Sequence, residues 1–397
     1  MTVQSTSAPE IGWNVRSLIY DPRFRSIFFQ ALTIVVLVAV VWWIADNTIE
    51  NLTRSKTASG FQFLRSRAGF DVGQSLIPYS SDSTYGRALM VGLLNTLLVA
   101  IAGIITATII GFAVGIGRLS HNWLIAKLCT VFVEVFRNIP PLLVIFFWYS
   151  GVLAVLPQPK ESLALPLGMY LNNRGLAFPK AVFGDGSLVV FLAFLIAIAG
   201  AVFLKRWATQ RQNTTGKQFP ALSASVGLII GLPLLTFLAL GAPVTFDYPV
   251  AGKFNLTGGS VIGPEFMSLY LALSFYTAAF IAEIVRGGIR GVPKGQTEAS
   301  AALGLQPAKT TRLVVIPQAL RIIIPPLTSQ YLNLTKNSSL AIAIGFSDLV
   351  SVGGTILNQT GQAIEIVAIW MIVYLAISIL TSIFMNWFNA KMALVER

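Results

Sequence analysis

The chain reads as an all-α membrane protein, a polytopic helical bundle of about eight transmembrane helices. It is 55% hydrophobic and only 11% charged, where soluble domains carry about a quarter of their residues as charges. Runs of roughly 20 apolar residues, enough to cross a hydrocarbon layer about 30 Å thick, recur along it. Its basic residues track the segments between those runs. With the N-terminus in the cytoplasm, inside segments hold 17 of the 28 Lys and Arg, outside loops hold 9, and Arg137 and Lys336 fall within spans. This asymmetry predicts both termini on the cytoplasmic side. It also accounts for the net charge of +12 without a nucleic-acid partner, which needs its basic residues on one contiguous surface.

Taken in order, residues 1–26 are polar and Ser/Thr/Pro-containing, a flexible cytoplasmic lead. Residues 27–45 form the first span. Trp42, Trp43 and Ile44 stand where a signal peptidase needs small residues, so this run is an uncleaved anchor. Further spans are expected at 89–115, 130–156, 187–204, 221–240, 266–284, 322–344 and 363–388. Residues 157–185, rich in Pro, Gly and Asn, read as an outside loop. The spans at 187–204 and 221–240 are joined by a short basic segment containing Lys205, Arg206, Arg211 and Lys217. Inserted as a pair, they return the chain to the same side and leave five core spans around them. The expected organisation is residues 1–88 as lead, first helix and loop, 89–156 as the first part of the core, 157–265 as an insertion, and 266–397 as the second part. The single cysteine, Cys129, excludes an intramolecular disulfide and a cysteine metal cluster, and the single His121 has no ligand partners in sequence, so no metal site is expected.

The segment from Glu283 to Pro317 is polar, basic and glycine-punctuated, between two spans. Thr297 can cap a short helix with Glu298 in its first turn, where negative charge is favoured. Gly304 supplies the left-handed residue that ends it, and Pro307 can open the next helix at no cost in hydrogen bonds. Ala299, Ala302 and Leu303 then form a knob. From these physical cues alone, the knob either enters a partner's groove or caps its own bundle.

Glu298-Ala299-Ser300, followed by Gly304 and then by Val314, Val315, Ile316 and Pro317, resembles the EAA loop of ABC-importer permeases. Ser300 replaces the second Ala, and Val314 and Ile316 replace Ile and Leu, all close in size. The run from Tyr276 to Gly304 resembles the polar-amino-acid branch of these permeases. So does Glu134-Val135-Phe136-Arg137-Asn138-Ile139-Pro140-Pro141-Leu142-Leu143, with Pro141 where Leu is usual. Thr335-Lys336-Asn337-Ser338-Ser339-Leu340 and Leu93-Leu94-Asn95-Thr96-Leu97-Leu98 add to it. The resemblance covers roughly residues 89–156 and 266–388, and the length and extra helices are most similar to the longer permease of general L-amino-acid importers. It implies a five-helix type I ABC importer core in a bacterial inner membrane, with Glu298, Ala299, Ser300, Gly304 and Pro317 coupling to an ATPase dimer. It further implies a second, homologous permease subunit and a periplasmic amino-acid-binding protein. No G-x-x-x-x-G-K-[ST] occurs in the chain, so ATP and Mg belong to the ATPase and no cofactor is expected on this chain, which is a transport subunit and not an enzyme.

Charged groups at membrane depth are costly and draw attention. Glu134 and Arg137 share a helical face at a spacing of three, and Glu283 and Arg286 repeat it. The first pair is either structural or has a gating or substrate role; the second, at the cytoplasmic end of a span, is either structural or reaches headgroups or water. Lys336, beside Asn337 and Ser338, either meets a substrate carboxylate in the pathway or snorkels to the interface. Prolines 317, 325 and 326 are expected to interrupt the helix before it. An ion-coupled secondary carrier, with Glu134, Glu283 and Lys336 as relay groups, and a membrane scaffold are the rival classes. Membrane lipid is a partner in every case.

Overall fold

The computed structural model describes residues 22–54, 60–252 and 255–392; the lead expected before Pro22 lies outside the described residues. Twelve α-helices carry the architecture of the described residues. They are α1 Pro22–Arg54, α2 Tyr85–Gly117, α3 Trp123–Asn138, α4 Pro141–Phe146, α5 Ser187–Thr215, α6 Ala221–Ala239, α7 Pro264–Arg290, α8 Lys294–Ala302, α9 Pro307–Thr310, α10 Ile316–Asn337, α11 Leu349–Thr360 and α12 Ala363–Met392. One end of the bundle holds the short strands (the sheet end), and the other holds the turns after α2, α5 and α7 (the loop end).

The centre is the parallel pair α2 and α7. Small residues let their backbones approach: a Cβ at Gly111 would lie 2.5 Å from Ile281 Cγ2, and one at Gly115 would lie 2.7 Å from the Ala282 carbonyl oxygen. In lipid, where apolar side chains gain little by leaving the solvent, such close approach is a main source of helix association. Helix α10 packs against both α2 and α7, with Ile323 beside Gly288 of α7 and Leu334 beside Gly103 of α2, and its Ile323, Ile324 and Leu334 share one buried cluster with Leu269, Leu273 and Ile281. A second cluster at the sheet end packs Phe63, Tyr85 and Leu89 on Leu349, Ile356 and Ile366.

Seven described helices are long and apolar enough to cross a membrane, or eight if α3 and α4 count as one bent span. The expected continuous span at 130–156 is corrected here, because α3 and α4 meet at 111°. Pro140 forces the residue before it out of the helical region, and Ile139 is extended (φ −105°, ψ 133°). From Phe147 to Leu153 the chain continues as a π-helix. The expected interruption by Pro325 and Pro326 is also corrected, because α10 runs unbroken through both. Pro317 does coincide with an irregularity: it directly follows a π-helical stretch, Thr311–Val315, through which α9 runs on into α10. A further discontinuity comes later, in a 3₁₀ segment Ser338–Ile344 and a turn before α11. Helix α11, too short at 12 residues to span, was not expected. Asp348 caps its start by accepting from the Ser351 amide at 2.8 Å, and Gly361 (φ 73°) ends it.

The outside loop is more ordered than expected. Strands β1 (Leu163–Leu165), β2 (Met169–Asn172), β3 (Gly175–Phe178) and β6 (Ser260–Ile262) make an antiparallel sheet in that order. Strands β4 (Lys180–Phe183) and β5 (Val244–Asp247) pair so that Phe183 faces Val244 at the foot of α5 and α6. These two helices bury Ala193, Ala197, Ala201 and Ala208 against one another. Helix α1 is exposed along nearly its whole length.

Candidate functional site

Helix α8 forms a compact protrusion at the loop end. Helix α7 ends at Gly291, Val292 is buried beneath the turn, and α8 starts directly after Pro293. This corrects the expected cap. The helix begins three residues earlier than Thr297, because Pro293 already sets its entry, and the Thr297 hydroxyl instead donates back to the Lys294 carbonyl at 2.6 Å. Glu298 therefore lies past the first turn. The end matches expectation: Gly304 is left-handed (φ 75°), its amide bonds the Ala301 carbonyl, and the Leu305 amide bonds that of Ser300. Pro307 opens α9 with Gln306 as its cap.

Inward and outward faces of α8 are distinct. Ser300 is buried and donates to the Gln296 carbonyl at 2.7 Å, while the Gln318 amide donates to Gln296 Oε1 at 3.3 Å and ties α8 to α10. Glu298, Ala299 and Ala302 face outward, and Leu303 is 81% exposed. The knob does not cap its own bundle.

On the α7 side of the turn that leads to α8, an ionic cluster joins α2, α3 and α7. Glu283 accepts from Arg286 on its own helix and from Arg118 just past α2, while Arg137 of α3 approaches it at 3.7 Å. The expected pairing of Glu283 with Arg286 is present. The expected pairing of Glu134 with Arg137 is replaced by contacts between helices. Glu134 lies 3.9 Å from Arg118, and the Arg137 guanidinium stands 5.5 Å over the Phe280 ring. The bend at Pro140 and the stack of Phe132, Phe136 and Trp148 on Phe275 set α3 at an angle that presents Arg137 to α7 and Glu134 to Arg118. Arg118, 9% exposed and central to the cluster, was not singled out from sequence. The only signal was a basic residue closing an apolar run at Gly117.

Lys336, Asn337 and Ser338 do not form one site. Lys336 is exposed and lines a cleft with Ser339, Val350, Trp370, Met371 and Tyr374. Ser338 is fully buried and donates to the Thr335 carbonyl at 2.7 Å. The break after α10 is held in part by Asn95 and Thr96, which the sequence offered only as part of a family resemblance and with no role of their own. The buried Asn95 side chain donates to the carbonyls of Gln74 and Ser347 at 2.8 and 2.9 Å, and Thr96 accepts from the Leu349 amide at 3.1 Å. Trp370 donates to the Leu349 carbonyl at 3.1 Å. A polar Asn-Thr pair inside the apolar run of α2 was the available clue.

Residues 219–394 match the family described as binding-protein-dependent transport system inner membrane component. The chain is 73% identical over 395 residues to the general L-amino acid transport system permease protein AapQ of Rhizobium johnstonii, covering 100% of this chain and 99% of the relative. It is 42% identical over 425 residues to the glutamate/glutamine/aspartate/asparagine transport system permease protein BztB of Rhodobacter capsulatus, covering 99% of both. Among solved structures, the crystal structure of an amino acid ABC transporter with histidines superposes with a TM-score of 0.46 at 19% identity, covering 77% of this chain and 95% of that one.

Proposed function

The chain belongs to the binding-protein-dependent transport system inner membrane components, and from that premise we propose how its parts serve an ABC importer of L-amino acids. It is an inner-membrane permease subunit, working with an ATPase and a binding protein. In this reading both termini are cytoplasmic, the loop end faces the ATPase dimer, and a second, homologous permease chain completes the pathway. The chain itself binds no cofactor; ATP and Mg stay on the ATPase. Lipid covers the exposed apolar faces of its outer helices.

The observation that carries the reading is the outward knob of α8, with Leu303 standing free between exposed alanines and Gly304 turning the chain sharply back. A leucine held in water is costly at about 25 cal/mol per Å² of apolar surface, and a groove on the ATPase relieves that cost. Movement of α8 passes to α10 through Gln296 and Gln318 and to α7 through Gly291. Glu283 and its arginines make α2, α3 and α7 move together at the loop end. The discontinuities at Ile139–Pro140 and at residues 338–348 then let the sheet end move differently, which is what alternating access requires. Lys336 is the group assigned to the cargo's α-carboxylate, while Ser338 serves the backbone beside it.

Replacing Gly304 by Val tests the coupling. A non-glycine residue held in the left-handed region costs about 1–2 kcal/mol and a β-branched one more. The expected outcome is normal membrane insertion with loss of both ATPase co-purification and ATP-dependent amino-acid uptake. Uptake at the parental rate by this variant would refute the assignment.

A further inference from the structure

The inserted hairpin carries a feature that lies outside the coupling path proposed above. From residue 186 to residue 246 the sequence has no Asp or Glu and four basic residues, Lys205, Arg206, Arg211 and Lys217, all in one short stretch. Helix α5 explains how they are displayed. Its apolar run ends at Leu204, yet the helix continues to Thr215, which carries it about 16 Å beyond that run at 1.5 Å per residue. The basic residues begin at the very next position, the depth of phospholipid headgroups.

Two aromatic residues fix that depth. Trp207 and Phe219 meet edge to face with ring centroids 5.4 Å apart, and the Arg211 guanidinium stacks over Trp207 at 5.3 Å. A half-exposed Trp with an arginine on its face sits at the membrane–water boundary, apolar body inward and polar edge outward. Lys205, Arg206 and Lys217 are exposed, and none of the four basic residues makes an ion pair among the described residues. In the core, by contrast, Arg118, Arg137 and Arg286 are paired with Glu283 or Glu134. Here the positive charge is left for a partner outside the chain.

We propose that the loop end of the α5–α6 hairpin is a binding surface for the phosphate groups of anionic phospholipids, anchored by Trp207 and Phe219 and supplied with charge by Lys205, Arg206, Arg211 and Lys217. Lipid is favoured over an acidic protein face because the charges start where the apolar run stops, and because the aromatic pair lies at that same level. The surface rests on the reading of the chain as a membrane permease but not on its coupling to the ATPase.

The test uses the complete importer in nanodiscs, with phosphatidylglycerol as the anionic probe in a phosphatidylcholine background, and native mass spectrometry to count retained phosphatidylglycerol. Each neutralisation, for example Arg211→Gln, is expected to weaken retention about fivefold, the equivalent of roughly 1 kcal/mol per basic residue at a membrane surface. The quadruple variant Lys205→Gln/Arg206→Gln/Arg211→Gln/Lys217→Gln should hold phosphatidylglycerol no better than phosphatidylcholine. The charge-preserving Lys205→Arg/Lys217→Arg variant should match the parent. A photo-crosslinker at Gln212 should capture lipid. Unchanged phosphatidylglycerol retention in the quadruple variant, or capture of the ATPase by the crosslinker, would overturn the proposal. ATPase co-purification, followed in the same samples, is expected to persist in the quadruple variant; its loss would reassign these residues to the ATPase and likewise overturn it.

Discussion

Glu283 is the carboxylate on which three loop-end arginines converge. It accepts from Arg286 and Arg118 and stands 3.7 Å from Arg137. Arg118, being 9% exposed, depends on it most. Removing the acid leaves a largely buried guanidinium without its main partner, and breaking such a pair costs more than the pair itself contributes. Glu283→Gln should therefore destabilise the permease by about 1–3 kcal/mol, discounted for Glu283's partial exposure. Thermal unfolding in detergent, alongside uptake, measures it. Glu134→Gln is the contrast. Glu134 is 58% exposed and 3.9 Å from Arg118, so its loss should stay within about 0.5 kcal/mol. Equal destabilisation by the two variants would show that the charge is shared differently from the geometry. Sequence spacing revealed Glu283 and Arg286 because both lie on one helix. It could not reveal Arg118, whose partnership depends on the packing of α2 against α7.

Among the secondary-structure elements, those with strong end signals were readable in advance. Gly304 and Pro307 marked the exit from α8 and the entry to α9, and both act as expected because their backbone constraints are local. Thr297 misled, since Pro293 had already started the helix upstream. Helix α11 had a readable cap in Asp348 and a stop in Gly361, but its short apolar stretch lacks the length that identifies a span. Pro325 and Pro326 looked like breakers, yet helix α10 keeps its course in a packed membrane bundle where other groups satisfy the backbone. Strand pairing between residues 176–178 and 260–262 crosses the whole hairpin insertion and leaves no mark in local sequence. That insertion is expected to be separable. Because Phe183 and Val244 are paired neighbours, replacing residues 184–243 by an Asn-Gly turn should close β4 and β5 as a two-residue hairpin. The shortened chain should still insert and should give the parental protease-resistant fragments of α2, α7 and α10. Collapse of those fragments would mean that the hairpin supports the core.

Across the molecule as a whole, the loop end and the sheet end should face opposite compartments. In a Cys129→Ser background, Leu303→Cys and Leu167→Cys place single thiols at sites that are each 81% exposed, one at either end. A membrane-impermeant maleimide applied to intact spheroplasts should label Leu167→Cys and spare Leu303→Cys, and inverted vesicles should give the reverse. Labelling of Leu303→Cys from the periplasm would overturn the coupling scheme, since no ATPase could then reach α8. The composition made the membrane class plain, and the basic residues supported an orientation. The way the halves join around α2 and α7 is set by contacts between distant glycines and isoleucines, such as Gly111 with Ile281, that composition does not encode.

The bare leucine on α8 also bears on how the cell keeps its subunits in proportion. A permease made in excess of its ATPase displays a sticky residue to the aqueous phase, the kind of surface that quality-control proteases and chaperones engage. Under the proposed coupling, docking of the motor would hide it, and the side chain that receives the power stroke would also distinguish an orphan from an assembled machine.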